Sequence, residues 1–321
     1  MLTRYPDIPR LKRADGRTHM NISNSEVSSF LKCERRHYYG FRLGLVPKTM
    51  SKSLTKGTIA HEGLAAYYDK VMQGMATAAA KQIALDHIKM LAMKDFEHMD
   101  LYADVTGLLD RYFDWCPAQD NFKILAVEKL YYMPLDEDHT FAMRLDLLVQ
   151  YTSGAHAGNI VLVDHKTVYD FWPPSAVSLN AQMPKYMGAI QYNGIPVREV
   201  MINQIRTRVN KGHMEDGDKF RRVFATIDSK EVKNVIREQR MAGNRILALN
   251  NLPEAEHEQL ILRAMDRFTC ENCPFANLCK SDLNDQDTAL MKQVEFHRQE
   301  DQLEFMQYGY NAKVESNGTS T

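Results

Sequence analysis

The sequence predicts an α/β protein with a mixed central sheet flanked by helices. Apolar residues recur at helical spacing over residues 23–115, whereas three β-rich runs follow one another after Phe122. A helical stretch over residues 176–192 then separates the third run from a strand at residues 199–206. Short turns join antiparallel strands and a helical crossover joins parallel ones, so both arrangements are expected in one sheet.

The first third of the chain is predicted to be helical. Ser23-x-x-Glu26 is a capping box, and it opens a helix whose second half contains Cys33. A second helix is predicted over residues 59–72 and carries His61. The Met- and Ala-rich segment at 76–115 continues the helical spacing.

The β-rich runs are predicted to form an antiparallel meander. They cover residues 124–132, 141–151 and 160–168, and polar turn segments separate them. Asp146 lies in the middle of the second run, and Asp164 and Lys166 lie on the third. Further on, the pattern predicts a strand at 220–227 and helices at 229–250, 253–267 and 284–308.

The domain organisation follows from these patterns. Residues 1–22 are expected to be a flexible basic arm, residues 23–282 a single domain, and residues 283–321 a C-terminal helix with a disordered tail. Within the single domain we expect a helical part (23–121), an α/β core (122–227) and a helical return with a cysteine cluster (228–282). The 321 residues, 44% of them hydrophobic, suffice for a sizeable core.

Composition excludes some classes of protein. The formal net charge is −1, but residues 1–60 carry 12 Lys and Arg against 4 Asp and Glu, which is typical of a surface that contacts phosphates or of a solvated face. A membrane span is not expected, since no run of 18 apolar residues occurs. Five cysteines without a secretory signal favour metal binding or free thiols over disulfides, and we expect a cytoplasmic protein or a viral protein in the host cytoplasm.

The acidic residues of the predicted strands are candidate metal ligands. Asp164 and Lys166 are two residues apart and therefore project from the same face, and a meander brings Asp146 next to Asp164. Paired carboxylates repel each other unless a cation lies between them, and Mg²⁺ or Mn²⁺ prefers such oxygen ligands. The alternative is a surface ion pair on an edge strand. The apolar residues around Asp146 and Asp164 favour burial and hence the metal site.

The ordered set of motifs resembles the PD-(D/E)xK nucleases, specifically their RecB-like branch. The set consists of His61 on an early helix, Arg144-Leu-Asp146, Val163-Asp164-His165-Lys166 and Gln182-x3-Tyr186. The resemblance covers residues 23 to about 280 and implies a restriction-endonuclease-like core. It also implies that Asp146 and Asp164 bind metal, that His61 is a further ligand and that Lys166 is the catalytic lysine. Gln182 and Tyr186 would complete the catalytic site and contact DNA, and His165 is an additional candidate ligand.

The cysteines admit two interpretations. Cys33 lies far upstream of the C-x2-C-x5-C cluster formed by Cys270, Cys273 and Cys279. Structural zinc usually takes two C-x2-C pairs, whereas a [4Fe–4S] cluster accepts the spacing found here. Cysteines on both sides of the motifs resemble the iron–sulfur subgroup, which includes AddB-type nuclease domains and CRISPR-associated exonucleases. That resemblance implies a cluster joining the N-terminal helical region to the C-terminal segment.

Together these features predict a Mg²⁺- or Mn²⁺-dependent deoxyribonuclease with a structural [4Fe–4S] cluster. The resemblance favours an exonuclease on single-stranded DNA or duplex ends, with partners in recombination and repair, CRISPR adaptation or viral replication. The alternatives are a non-catalytic nucleic-acid-binding protein and a zinc-stabilised partner module of a helicase–nuclease. Candidate phosphate contacts are basic residues near the N-terminus and after the last core strand, namely Arg35, Arg36, Lys52, Lys56, Arg206 and Arg208.

Overall fold

The computed structural model describes residues 20–49, 52–208 and 218–298. The chain divides into two compact units. We call the first, Met1–Asn24 with Ser51–Arg240, the sheet unit, and the second, Ser25–Met50 with Met241–Thr321, the cysteine unit. The predicted C-terminal tail and most of the predicted arm lie outside the described residues, and the predicted domain boundaries stay a prediction.

Helices and strands are numbered along the chain. The strands are β1 Met20–Ile22, β2 Leu45–Pro47, β3 Phe122–Val127, β4 Leu130–Pro134, β5 His139–Arg144, β6 Leu147–Tyr151, β7 Ile160–Val168, β8 Glu199–Arg206, β9 Phe220–Thr226 and β10 Phe296–Arg298. The helices are α1 Asn24–Lys32, α2 Glu34–His37, α3 Lys52–Met72, α4 Thr77–Ala92, α5 Met99–Trp115, α6 Pro174–Ser178, α7 Gln182–Tyr192, α8 Ser229–Asn250, α9 Glu254–Leu260, α10 Arg267–Glu271, α11 Ala276–Leu283 and α12 Ala289–Glu295.

The sheet unit is built on a five-stranded mixed sheet with strand order β3-β6-β7-β8-β9. β7 and β8 are parallel, because α6 and α7 form the crossover between them, and the other neighbours are antiparallel. The predicted mixed sheet flanked by helices is confirmed, and it fits the restriction-endonuclease-like fold.

Apolar side chains on both faces of this sheet form the core. On one face Val161 and Val163 pack with the buried residues of α3, α4 and α5. On the other face Leu162 packs with α7 and the start of α8. A Cβ on Gly188 of α7 would collide with the side chain of Ile236, so this glycine permits the close approach of α7 and α8.

Two of the three predicted strands are interrupted. The first breaks after β3 at Glu128, whose φ of 46° lies in the left-handed region, and the second breaks at Leu145 and Asp146. Backbone hydrogen bonds from Glu128 to Asp146 and from Leu145 to Lys129 link the two breaks. Beyond them β4 and β5 leave the main sheet and pair with each other, and β5 also pairs with β1, which ends the predicted basic arm, in a three-stranded sheet. Hydrophobic patterning does not show such breaks, because both halves of each run are apolar.

The cysteine unit joins residues near the start of the chain to residues near its end. β2 pairs with β10 in antiparallel fashion, and Arg35 on α2 forms an ion pair with Glu258 at 2.8 Å. The rings of Tyr39 and Phe275 lie 5.6 Å apart.

Two predicted helices in this unit differ from the structure. The helix expected at 253–267 stops at Leu260, and the backbone becomes extended at Ile261. The Leu262 backbone then binds α2: it accepts a hydrogen bond from the Arg35 N–H and donates one to Glu34. The helix expected at 284–308 stops at Glu295, where β10 begins. Its predicted continuation past residue 298 lies outside the described residues.

No helix in the described ranges is both long and apolar enough to cross a membrane.

Candidate active site

The interruption between β5 and β6 places Asp146 beside β7. β6 pairs with β7 as far as Leu147 and Val163, so Asp146 follows directly after the last pair of the ladder. Its Oδ2 accepts a hydrogen bond of 2.7 Å from the backbone N–H of His165. Asp146 and Asp164 therefore lie next to each other, as the meander predicts, although Asp146 is at a strand end rather than mid-strand.

A candidate metal site surrounds Asp146. Ligand atoms of His61, Glu128 and Asp146 all lie within 4.8 Å of one another, the one such group of three found among the described residues. His61 lies on α3, with its Nδ1 3.5 Å from Asp146 Oδ2, and Glu128 lies at the break after β3. Two carboxylates and an imidazole are donors that suit Mg²⁺ or Mn²⁺, with the imidazole favouring the softer ion.

Electrostatics support a cation at this site. Burial raises the pKa of Glu128, and the Asp146 carboxylate raises it further, to about 7. Burial also opposes ionisation of Asp146, but the neighbouring His61 outweighs it and holds the pKa of Asp146 well below its usual range. Burial disfavours the His61 imidazolium, yet Asp146 raises the pKa of His61 to about 9. In the absence of metal, a proton on His61 thus balances the Asp146 carboxylate, and a divalent ion would take over that role.

Asp164, Lys166 and Gln182 form a second polar group on the same strand. Lys166 Nζ lies 2.7 Å from Asp164 Oδ2, and Gln182 at the start of α7 donates a hydrogen bond of 3.1 Å to Asp164 Oδ1. Burial and the Asp146 carboxylate raise the pKa of Asp164, while Lys166 opposes that rise. Burial lowers the pKa of Lys166, but Asp164 and Asp146 raise it more, so the lysine is an ammonium at neutral pH.

His165 and Tyr186 lie in different surroundings from these groups. His165 is buried on the opposite face of β7, where its Nδ1 lies 2.8 Å from the donating Asn203 Nδ2 and its ring stacks on Tyr68. Burial lowers the pKa of His165 to about 3, so its ring is neutral. Tyr186 is buried in the core beside Phe141. The predicted roles of His165 as a ligand and of Tyr186 as a catalytic residue stay predictions.

Glu128 is the site residue that the sequence analysis did not include. In sequence it is one acid among 41, placed within the first β-rich run, where a surface residue is equally expected. The break that turns it towards Asp146 is a backbone feature that residue types do not reveal, because glutamate has no preference for positive φ.

The four predicted cluster cysteines all belong to the cysteine unit. Cys33 lies between α1 and α2, Cys270 lies in the last turn of α10, Cys273 lies just after α10, and Cys279 lies in α11. All four are free thiols. Burial raises the pKa of the Cys273 thiol, and Cys33 and Cys279 raise it further. Thiols from both ends of the unit therefore influence one another. Among the described residues, however, no three cysteines bring their sulfur atoms within 4.8 Å of one another, as His61, Glu128 and Asp146 do with their ligand atoms, so the predicted cluster stays a prediction.

Most of the predicted phosphate-binding residues have acidic partners. Arg35 pairs with Glu258, Lys52 lies 3.9 Å from Asp100, and Lys56 lies 2.6 Å from Asp104. Arg206 and Arg208 both bind the Asp170 carboxylate, at 2.6 and 3.1 Å. Arg36 lies close enough to Cys273 to lower the pKa of that thiol.

The sequence matches a family model for most of its length. The model of the PD-(D/E)XK nuclease superfamily matches residues 21–280, which contain the cysteines and every motif described above. The chain belongs to the PD-(D/E)XK nuclease superfamily. Nucleases of this superfamily use divalent metals, and nucleic acid is the substrate that membership implies.

Solved structures with similarity to this superfamily member share little sequence with it. "Crystal structure of SSO0001" matches at 12% identity and TM-score 0.33, covering 81% of this chain and 85% of that one. "Crystal Structure of LHK-Exo in complex with dAMP" matches at 12% identity and TM-score 0.26, covering 63% of this chain and 93% of that one. No curated protein matches the chain.

Proposed function

We propose that this chain is a metal-dependent deoxyribonuclease that hydrolyses phosphodiester bonds and acts as an exonuclease. The observation that supports the proposal most is the group of His61, Glu128 and Asp146 beside the buried Asp164–Lys166 pair. Removing these charges even partly from solvent costs free energy, and such groups of strongly interacting charges are concentrated at functional sites.

Each side chain has a role in the proposed reaction. His61, Glu128, Asp146 and Asp164 would hold the divalent ion, which when bound lowers the pKa of a water and polarises the phosphate. Asp164 and Asp146 raise the pKa of Lys166 in the metal-free protein, and the ammonium would stabilise negative charge developing on the phosphate. Gln182 orients Asp164 through its amide hydrogen bond and thereby fixes the ammonium group that Asp164 binds. The water gives up one proton to solvent and forms the new P–O bond as the P–O bond to the leaving oxygen breaks. The leaving oxygen takes a proton from solvent, and the products are one phosphomonoester and one hydroxyl.

Substitution of the central pair tests this proposal. Asp164→Ala and Lys166→Ala are each expected to abolish cleavage of labelled DNA by the purified full chain while circular dichroism and DNA binding stay close to wild type. Chelation with EDTA should have the same effect on the wild type, and added Mn²⁺ or Mg²⁺ should reverse it. Glu137→Gln, an exposed change on the β4–β5 hairpin, is the matched control and should cleave normally. Full activity of Asp164→Ala would contradict the assignment.

Cleavage of different substrates distinguishes an exonuclease from an endonuclease. Linear and circular single strands, blunt duplexes and RNA of the same sequence are compared under one condition. An exonuclease degrades the linear DNA and leaves the circle intact, whereas cutting of the circle would show endonuclease action. Equal cleavage of RNA would refute the specificity for DNA.

We further propose that Cys33, Cys270, Cys273 and Cys279 bind a [4Fe–4S] cluster. The electrostatic influence of Cys33 on the Cys273 thiol supports a shared site, and the x2 and x5 spacings depart from the paired pattern of zinc sites. Protein purified without oxygen is expected to be brown and to contain about four irons per chain. A colourless protein with one zinc per chain would favour the zinc-stabilised alternative.

A further inference from the structure

A polar pair lies inside the apolar face of the main sheet that packs on α3 and α5. His165 of β7 and Asn203 of β8 are directly opposite each other in the parallel ladder, and they are 3% and 0% exposed. Their neighbours on this face are the core residues Val163, Met201 and Ile205. Apolar side chains would continue this core at both positions, so the polar pair requires a separate explanation.

Hydrogen bonds and ring stacking join the pair to two tyrosines. Asn203 Nδ2 lies 2.8 Å from His165 Nδ1 and donates a hydrogen bond of 2.8 Å to the hydroxyl of Tyr112 on α5. The hydroxyls of Tyr112 and Tyr68 are 2.9 Å apart, and the ring of Tyr68 on α3 stacks on the His165 ring with centroids 5.6 Å apart. These four residues form a closed loop of contacts, which we call the His165 clamp.

The His165 clamp fills this part of the core at a cost in stability. Asn203 Oδ1 is buried and has no hydrogen-bond partner among the described residues. A buried amide oxygen without a partner lowers the free energy of unfolding relative to an apolar side chain of the same shape. A hydrogen-bonded network, however, holds its members in one arrangement more strictly than apolar packing does. The clamp is therefore expected where the position of a neighbouring group matters.

The neighbouring group is the candidate metal site. The backbone N–H of His165 donates a hydrogen bond of 2.7 Å to Asp146 Oδ2, and the same Oδ2 lies 3.5 Å from His61 Nδ1. The His165 ring also lies edge-on to the His61 ring, with centroids 6.3 Å apart. A shift of His165 would therefore disturb both Asp146 and His61, two of the three candidate ligands.

We propose that His165 is a positioning residue: its side chain, held in the His165 clamp, fixes the backbone N–H that orients the Asp146 carboxylate in the candidate metal site. The inference rests on the proposed nuclease function, because it concerns the site that would hold the catalytic ion. Since Asn203 is hydrogen-bonded to its Nδ1, the His165 ring acts through its neighbours and not as a ligand through that nitrogen. Outer contacts of this kind typically contribute about 10- to 100-fold to metal affinity.

The metal affinity of the purified full chain tests the proposal without relying on cleavage. Electron paramagnetic resonance measures free Mn²⁺ during a titration. His165→Phe keeps an aromatic ring that cannot bond to Asn203, Asn203→Leu keeps the size of the side chain, and Tyr112→Phe removes only the hydroxyl. The first two variants should each weaken Mn²⁺ binding about 10-fold, and Tyr112→Phe should weaken it less. The double variant of His165→Phe and Asn203→Leu should bind no more weakly than either single one, because both changes break the same contact.

Control variants separate positioning from a general loss of stability. Ile190→Val, a conservative core change on the other face of the sheet, should lower the melting temperature slightly and leave the Mn²⁺ affinity unchanged. The double variant should melt at or above the wild-type temperature in EDTA, because it removes the unpartnered Asn203 amide oxygen. His165→Asn, whose amide replaces Nδ1 as a hydrogen-bonding group, should recover part of the affinity that His165→Phe loses.

Amide hydrogen exchange in EDTA measures the positioned N–H itself. Nuclear magnetic resonance should show slow exchange of the His165 N–H in the wild type, because Asp146 accepts its hydrogen bond. Exchange of this N–H should be several-fold faster in Asn203→Leu and in His165→Phe with the amide at Phe, while the amides at the start of β7 should exchange as in the wild type.

The possible outcomes distinguish this proposal from the nuclease proposal. Wild-type Mn²⁺ affinity and amide exchange in His165→Phe and Asn203→Leu would overturn the positioning role. Loss of Mn²⁺ binding in His165→Phe with full affinity in Asn203→Leu would also overturn it and would make His165 a direct ligand. If the wild type binds Mn²⁺ but cleaves no nucleic acid, the nuclease proposal fails while the affinities still decide the role of His165. A wild type that binds no Mn²⁺ would overturn both.

Discussion

Replacing Glu128 with glutamine separates stability from function at the candidate metal site. The carboxylate lies within 4.8 Å of ligand atoms of His61 and Asp146, and its pKa is raised to about 7 from an ordinary 4.5, first by burial and then by Asp146. Glutamine keeps the size and shape of the side chain and removes the charge. We therefore expect Glu128→Gln to stabilise the metal-free protein and to weaken metal binding and cleavage.

The sign and size of the stability change follow from the raised pKa. Between pH 4.5 and 7 the folded protein keeps a proton on Glu128 that the unfolded chain has released, so stability falls as pH rises through this window. Each pH unit is worth about 1.4 kcal/mol, which sets a ceiling of roughly 3 kcal/mol. Because the side chain is 31% exposed and Arg144 lies 3.8 Å away, solvent and partner reduce the expected gain to about 1–2 kcal/mol above pH 7.5.

Chemical unfolding in EDTA at pH 5 and pH 8 measures this effect. The difference in unfolding free energy between Glu128→Gln and wild type should be near zero at pH 5 and reach its full value at pH 8. The difference isolates Glu128 from His61, whose raised pKa makes the stability of both proteins fall as pH rises towards 9. With saturating Mn²⁺ the order should reverse, because the wild type gains more from bound metal. An equal pH dependence together with an equal response to Mn²⁺ would refute the assignment of Glu128 to the site.

Two further substitutions test other parts of the structure. Cys33→Ala should lower the melting temperature of oxygen-free, iron-loaded protein by several degrees. Without iron the same change should alter the unfolding free energy by less than about 1 kcal/mol, because the thiol makes a weak contact with the Leu262 carbonyl. As a control, Cys116→Ala in the core of the sheet unit should cost the same unfolding free energy with and without iron. Lys185→Met should stabilise the protein at pH 7, because burial lowers the pKa of this 5% exposed lysine to about 8, whereas the unfolded chain keeps the proton up to about pH 10.5. The gain in unfolding free energy, at most about 3 kcal/mol, should shrink as pH approaches 10. A loss of stability at pH 7 would contradict the prediction.

The sequence predicted the elements of the sheet unit better than their ends. Alternation along β7 correctly placed Asp164 and Lys166 on one face, because period two is a property of any strand. The parallel pairing of β7 with β8 followed from the helix between them. The bend at Glu128 was not foreseen, since it depends on a backbone conformation that tertiary contacts impose.

Local signals also failed where distant segments meet. Residues 261–266 have a helical composition, yet they form no helix: the peptide groups of Leu262 bond to the backbone of Arg35 and the carboxylate of Glu34 instead, and Met265 has a positive φ. The short β10 was missed for the same reason: Phe296–Arg298 becomes a strand only by pairing with β2, about 250 residues earlier in the chain. A pairing partner at that distance leaves no trace in a local window.

The ladder between β6 and β7 accounts for both the core and the candidate site. Pairing ends at Leu147 and Val163, and from that point the Asp146 carboxylate accepts the backbone N–H of His165. The same register directs Val163 and His165 towards α3 and α5, and it directs Asp164 towards Gln182. A slip of one residue would bury the Lys166 ammonium among the tyrosines of α3 and α5 and would turn apolar side chains into the metal site. The hydrophobic residues that fix this register therefore also fix the geometry of the catalytic groups. Core substitutions beside Val163 should for that reason reduce cleavage in proportion to their effect on the register, even where they do not touch the site.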